Sequence, residues 1–197
     1  MPPTPAATRR SRAARPSAMP AAREIVATLA REFRKVKALG DAAIAQLDDA
    51  QLHARLDAEA NSVAMLMRHL AGNMQSRWTD FLTSDGEKPW RRRDEEFEPP
   101  AASRADLAAA WDAGWATLFA ALDALGDADL ARPVVIRGES QSVLAAIARQ
   151  LAHYAGHVHQ IVLLGKHLRG PAWQVLSIPR GQSQAYTDRL RTGAPPA

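Results

Sequence analysis

The chain has 197 residues, 47% of them apolar, which is enough for one buried core, and no cysteine, so disulfides, thiolate metal sites and a cysteine nucleophile are excluded. Its net charge of +4 is local: Arg9, Arg10, Arg12, Arg15 and Arg23 stand in an acid-free N-terminal stretch, and without them 20 basic residues face 21 acidic ones. A neutral body argues against a nucleic-acid partner, and no apolar run reaches the roughly 18 to 20 residues of a membrane span. The expectation is a cytoplasmic protein with no membrane and no nucleic-acid partner, lacking the apolar core of a secretory signal.

Residues 1–20, rich in Pro, Ala and Arg, read as a disordered tail. From Ala21 the pattern turns helical: Ile25, Leu29, Phe33 and Val36 recur at spacings of three and four, and the stretch runs past Gly40 to Ile44 and Leu47. Asn61 and Ser62 offer a cap for a second helix striped by Val63, Leu66, Met67, Leu70, Met74, Trp78 and Phe81, stopping near Ser84-Asp85-Gly86. Residues 87–100, with the run RRRDEEFE, read as a long ordered crossover loop whose charges form a solvated set of internal ion pairs.

Ser103 and Asp106 form a capping box for a third helix with Leu107, Trp111, Leu118, Leu122 and Leu125 on one stripe. Pro133, Val134-Val135-Ile136 and Gly138 predict a brief extended excursion rather than a sheet. A fourth helix is expected from about Ser142 to Lys166, with Val143, Ile147, Leu151, Tyr154, Val158, Ile161 and Val162 along one side. After Gly170 the chain should be mostly irregular, with Trp173, Val175 and Ile178 docked on the helices and residues 188–197 flexible. Four such helices make an all-α, four-helix-bundle domain over residues 21–187. Trp78, Trp111 and Trp115 are expected in its core.

Histidine placement carries the chemistry. His153 and His157, four apart on the fourth helix, lie one above the other with β-carbons about 6 Å apart, whereas His159 falls on the polar side. Spacing alone leaves two readings open, a pair of partly buried hydrogen-bonded histidines or two ligands of one ion. His69 and Asn73 flank the stripe of the second helix, with Asp80 further along, so a third ligand there can meet the pair if the helices are neighbours. Asn73, Arg77, Asp80, Arg149 and Gln160 are candidates for supporting the ligands or contacting substrate. There is no HExxH and no ExxH, which disfavours a zincin protease and a di-iron oxidase.

The strings NSVAMLMRHLAGNMQSRWTDFLTSDGEKPWRRRDEEF (residues 61–97), RQLAHYAGHVHQIVLLGKHLRG (149–170) and WQVLSIPRGQSQAY (173–186) resemble a bacterial branch of the DinB-like superfamily, over most of the chain. The resemblance implies a four-helix bundle in up-down-down-up order that binds zinc, nickel or a similar divalent ion through three histidines, here His69, His153 and His157. The family's glutamine after the last ligand falls on Gln160, and the chain departs from its relatives at Gly156 and His159. Relatives that are thiol-dependent transferases imply a small-molecule substrate, a low-molecular-weight thiol cofactor such as bacillithiol or mycothiol, and a homodimer. The alternative is a non-catalytic, metal-stabilised bundle acting through dimerisation or partner binding.

Overall fold

The computed structural model describes residues 21–193, so the expected disordered tail at 1–20 lies outside the described residues. Helix α1 spans Ala22–Ile44, and a break before Leu47 is followed by the short α2, Asp49–His53, opened by an Asp48–Gln51 capping box. Helix α3 runs over Val63–Trp78 from the predicted Ser62 cap, stopping one turn short of Phe81. Helix α4, Arg104–Asp123, starts at the predicted Ser103–Asp106 capping box, and α5, Val143–Arg169, is capped by Ser142.

The extended excursion is a small sheet after all. Strands β1, Pro133–Ile136, and β2, Glu139–Ser142, pair antiparallel with Ile136 opposite Glu139. Their two-residue turn, Arg137-Gly138, has positive φ at both positions (55° and 77°), the type I′ geometry that matches strand twist. Three contacts tie the hairpin to the loop after α3: Gly86 N–H donates to Val135 O, and the Asp85 carboxylate accepts from the amides of Arg137 and Gly138.

Helices α1, α3, α4 and α5 pack as a closed set: α3 lies on α4 and α5, and α1 lies on α5 and α4. Among the described residues no helix is long and apolar enough to cross a membrane. The centre of the core is aromatic, as expected for Trp78, Trp111 and Trp115, with Phe33, Trp78, Trp115 and Tyr154 meeting edge to face or tilted. Gly114 lets α4 approach α3 closely, since a β-carbon there would stand 3.0 Å from the Ala71 Cα. After Gly170 the chain is less irregular than expected, because α6 spans Ser183–Thr192. Of the three predicted docking residues only Trp173 is held, against Gly165; Val175 and Ile178 are exposed.

α3 is buried on nearly every side, yet four of its buried residues are polar: His69, Asn73, Ser76 and Arg77. Burying polar groups is costly unless each finds a partner, so this helix marks where the fold positions its chemistry.

Candidate metal centre

Two rows of side chains at four-residue steps face one another. On α3 the row is His69, Asn73, Arg77; on α5 it is Arg149, His153, His157; and all six line one cavity of about 430 Å³. Tyr154 fixes the register between the helices: Trp78 Nε1 donates to its hydroxyl (3.0 Å), which donates to Asn73 Oδ1 (2.9 Å). Full burial raises the Tyr154 pKa, so it stays a phenol and keeps both bonds.

The three histidines converge within this cavity. His153 Nε2 lies 3.3 Å from His69 Nε2 and 3.1 Å from His157 Nε2, and one ligand atom from each histidine lies within 4.8 Å of both others. Ligands of one tetrahedral ion at about 2.0–2.1 Å would sit about 3.3 Å apart. The opposite ring nitrogens decide what the facing ones carry. His69 Nδ1 donates to Glu96 Oε2 (2.9 Å), His153 Nδ1 to Gln150 Oε1 (3.2 Å) and His157 Nδ1 to Gln160 Oε1 (2.9 Å). An acceptor at every Nδ1 places the proton there and leaves three Nε2 lone pairs aimed at one point. A proton on one nitrogen would satisfy one pair; a divalent cation satisfies all three. The residues fit a metal ion.

Burial first, then the charges of His157, His69 and nearby arginines, pushes the His153 pKa down to about 3, and burial also lowers that of His157. Neutral imidazole is the form that binds metal. Burial works against ionisation of Glu96, but hydrogen bonds from His69 and Arg91 outweigh it and hold the carboxyl below its usual range. Both effects act in one direction on stability. Below pH 6.5 the unfolded chain takes up a proton at His153 that the folded chain refuses until about 3, and below 4.5 the unfolded chain also protonates Glu96 more readily than the folded chain does. Metal-free protein should therefore lose stability steadily from pH 6.5 downward, read as a falling urea midpoint at pH 7, 6 and 5; an unchanged midpoint would contradict the half-buried, neutral His153.

The expected solvated loop at 87–100 is instead part of the site. A 3-10 turn, Asp94–Phe97, turns Glu96 inward, where it is 6% exposed. There Arg91, whose side chain is 2% exposed, grips it with two bonds, Nε to Oε1 (2.8 Å) and Nη2 to Oε2 (2.7 Å). The ion pairs of this run exist, but the central one is buried. Phe97 packs its ring 4.6 Å from that of His69.

Gly72 makes room for this arrangement. A β-carbon there would overlap Glu96 Oε1 and stand 3.0 Å from its Cδ. In an ordinary helix Gly→Ala gains about 1 kcal/mol. Here Gly72→Ala should instead destabilise by about 1–3 kcal/mol, the usual cost of overpacking, and weaken metal binding. Urea unfolding and a metal titration on the same variant check this, and a stabilised variant with unchanged affinity would contradict it.

The other predicted residues divide. Asn73, Arg77 and Arg149 line the cavity, and Gln160 supports His157. Asp80 does not join them: it is exposed in the turn after α3, with φ 48°. His159 is on the surface, bonded to Ala155 O, and Gly156 opens onto free space. Sequence reasoning missed Glu96, Arg91, Gln150, Phe97, Arg93 and Arg137. Only Gln150 had a local signal, standing three residues before His153 as Gln160 stands three after His157.

Fold and site together define a mainly helical protein with a three-histidine cluster, His69 buried and His153 and His157 half-buried, that could hold a metal ion. The model of the family described as protein of unknown function, DUF1572, matches residues 20–182, and the chain belongs to that family. No curated protein matches it.

Proposed function

We propose that the chain is a metal-dependent enzyme of the DinB-like four-helix-bundle type, with His69, His153 and His157 holding one divalent ion, zinc or nickel, and a low-molecular-weight thiol as the second cofactor. The observation that carries this reading is the convergence of three Nε2 atoms whose Nδ1 partners are each hydrogen-bonded to Glu96, Gln150 or Gln160. The closed packing of α1, α3, α4 and α5 supports the bundle. So does the long segment 79–103 between α3 and α4, the kind of crossover that neighbouring parallel helices need.

Three protein ligands facing a cavity leave at least one coordination position for a small molecule, the hallmark of catalytic rather than structural sites. When bound, the ion supplies Lewis acidity and lowers the pKa of a coordinated thiol or water, giving a nucleophile near neutral pH. The chain supplies the rest. Glu96, Gln150 and Gln160 hold the three imidazoles in one tautomer and orientation, and Phe97 shields His69 on the loop side. The cavity of about 430 Å³ has room for a small-molecule acceptor beside the cluster.

Zinc- and nickel-loaded protein, assayed with bacillithiol or mycothiol and a chromogenic aryl halide, should turn over, and His157→Ala should lose that turnover. Metal-loaded protein inert towards every thiol and electrophile pair would favour the second reading, a non-catalytic, metal-stabilised bundle acting as a homodimer or through a partner.

A further inference from the structure

The cavity is cationic without a matching carboxylate. Arg77, Arg93, Arg137 and Arg149 all line it, and no Asp or Glu among the described residues does. The nearby acids are already engaged. Glu96 is held by Arg91 and His69, while Glu87 Oε2 serves three guanidiniums at once: Arg137 at 3.2 Å, Arg91 at 3.3 Å and Arg77 at 3.9 Å. Arg93 lies over the Phe97 ring at 5.0 Å, and its one carboxylate partner among the described residues is the exposed Asp94, at 3.6 Å.

Arg77 is the least satisfied of the four. Its side chain is 4% exposed, and Nε and Nη1 are buried with no hydrogen-bond partner among the described residues. Gly86 backs the group so closely that a β-carbon there would stand 2.8 Å from Nη1. Burial lowers the Arg77 pKa, and the like charges of Arg91 and Arg149 lower it further against the pull of Tyr154 and Glu87. A buried guanidinium whose carboxylate, Glu87, lies 3.9 Å away and is shared with Arg91 and Arg137 is only weakly compensated for its lost hydration, so a fold that keeps one lining a cavity is organised for an anion.

Arg137 gives a second, independent observation. It occupies a left-handed backbone conformation, φ 55°, which costs a non-glycine residue about 1–2 kcal/mol. Asp85 holds it there by accepting the amides of Arg137 and Gly138, at 2.8 Å each. The hairpin tip thus carries a cation to the cavity on a strained, pinned turn, the kind of local strain that clusters at ligand-binding sites.

We infer that the cavity binds a small-molecule anion, with a carboxylate or phosphate group held by Arg77 and Arg149, Arg137 closing over it, and the remainder of the molecule directed at the histidine cluster. This rests on the proposed reaction site, whose substrate class it names. The two rows explain the placement. Each has its arginine at one end and a histidine at the other, so the anionic group and the reacting group of one molecule are held apart along the groove between α3 and α5. Guanidinium forks match carboxylate and phosphate oxygens in pairs, which fixes orientation as well as charge.

The test is calorimetric titration of succinate, of inorganic phosphate and of the neutral isostere succinamide, at constant ionic strength, into zinc-loaded and into chelator-treated protein, with metal content measured on each sample. Wild type should bind at least one of the anions and not succinamide, and the preference between succinate and phosphate names the anionic group. Arg149→Gln, at an exposed position, and Arg77→Met should each weaken that anion at least tenfold with metal content unchanged. Folding of the Arg77 variant is checked by circular dichroism, and Arg149→Gln carries the test if it fails. Equal affinity for succinamide, unchanged affinity in Arg149→Gln, or no anion binding in either form of the wild type would overturn the inference. Arginine-dependent anion binding by protein that never takes up metal would uphold it and sink the metal site instead.

Discussion

Glu96→Gln should lower stability by about 3–5 kcal/mol and metal affinity about 10- to 100-fold, although it changes one oxygen to an NH2 and leaves the shape intact. In the native protein both carboxylate oxygens accept from the Arg91 fork, and Oε2 also accepts from His69 Nδ1. Glutamine offers a single acceptor, so either orientation of its amide breaks one bond of the Arg91 fork. With the NH2 in place of Oε1, Arg91 Nε loses its acceptor while Nη2 and His69 Nδ1 keep theirs. With the NH2 in place of Oε2, Arg91 Nη2 and His69 Nδ1 both lose theirs, and the ring loses the bond that fixes its tautomer. Urea unfolding of metal-free protein reads the first cost and a competitive zinc titration the second. A loss of less than 1 kcal/mol with unchanged zinc affinity would mean that the buried bridge supports neither fold nor site.

Metal should raise the melting temperature of the wild type by roughly 5–10 °C when supplied at a hundred times its dissociation constant. Binding to the folded form alone is worth about 2.7 kcal/mol at that ratio, and a domain of this size shifts about 2–4 °C per kcal/mol. Excess chelator should return the wild type to its metal-free value. The His69→Ala, His153→Ala, His157→Ala triple variant should show neither shift. Its baseline will differ because packing at His69, 3% exposed, is lost, so the quantity compared is the metal-induced change within each protein. A shift of equal size in both proteins would place the metal elsewhere.

Much of this was legible in the sequence because it rests on local rules. The Ser62 and Ser103 caps open α3 and α4, α5 starts beside the expected Ser142, and the apolar stripes of α3, α4 and α5 are the buried faces. Four-residue spacing aligned His153 with His157 and His69 with Asn73, and the helices carrying them are in contact. What stayed hidden depends on long-range contacts. Glu96 lies 27 residues from His69 and sits in a run that reads as solvated. Its inward turn is decided by Arg91, Phe97 and the missing side chain of Gly72, none of which carries a periodic signal. The hairpin was underestimated for a related reason: an arginine at a positive-φ position is not a turn signal, and the Asp85 carboxylate that stabilises it stands 52 residues earlier. Asp80 lies outside the cavity lining because α3 ends at Trp78, which takes it off the helical face.

The most direct test of the central claim is elemental analysis of protein purified without a histidine tag, with wild type compared with the His69, His153 and His157 triple alanine variant. One equivalent of a divalent metal in wild type and none in the variant is the predicted result. Absence of metal from both, even after incubation with zinc or nickel, would contradict the reading of the three converging Nε2 atoms as a metal centre.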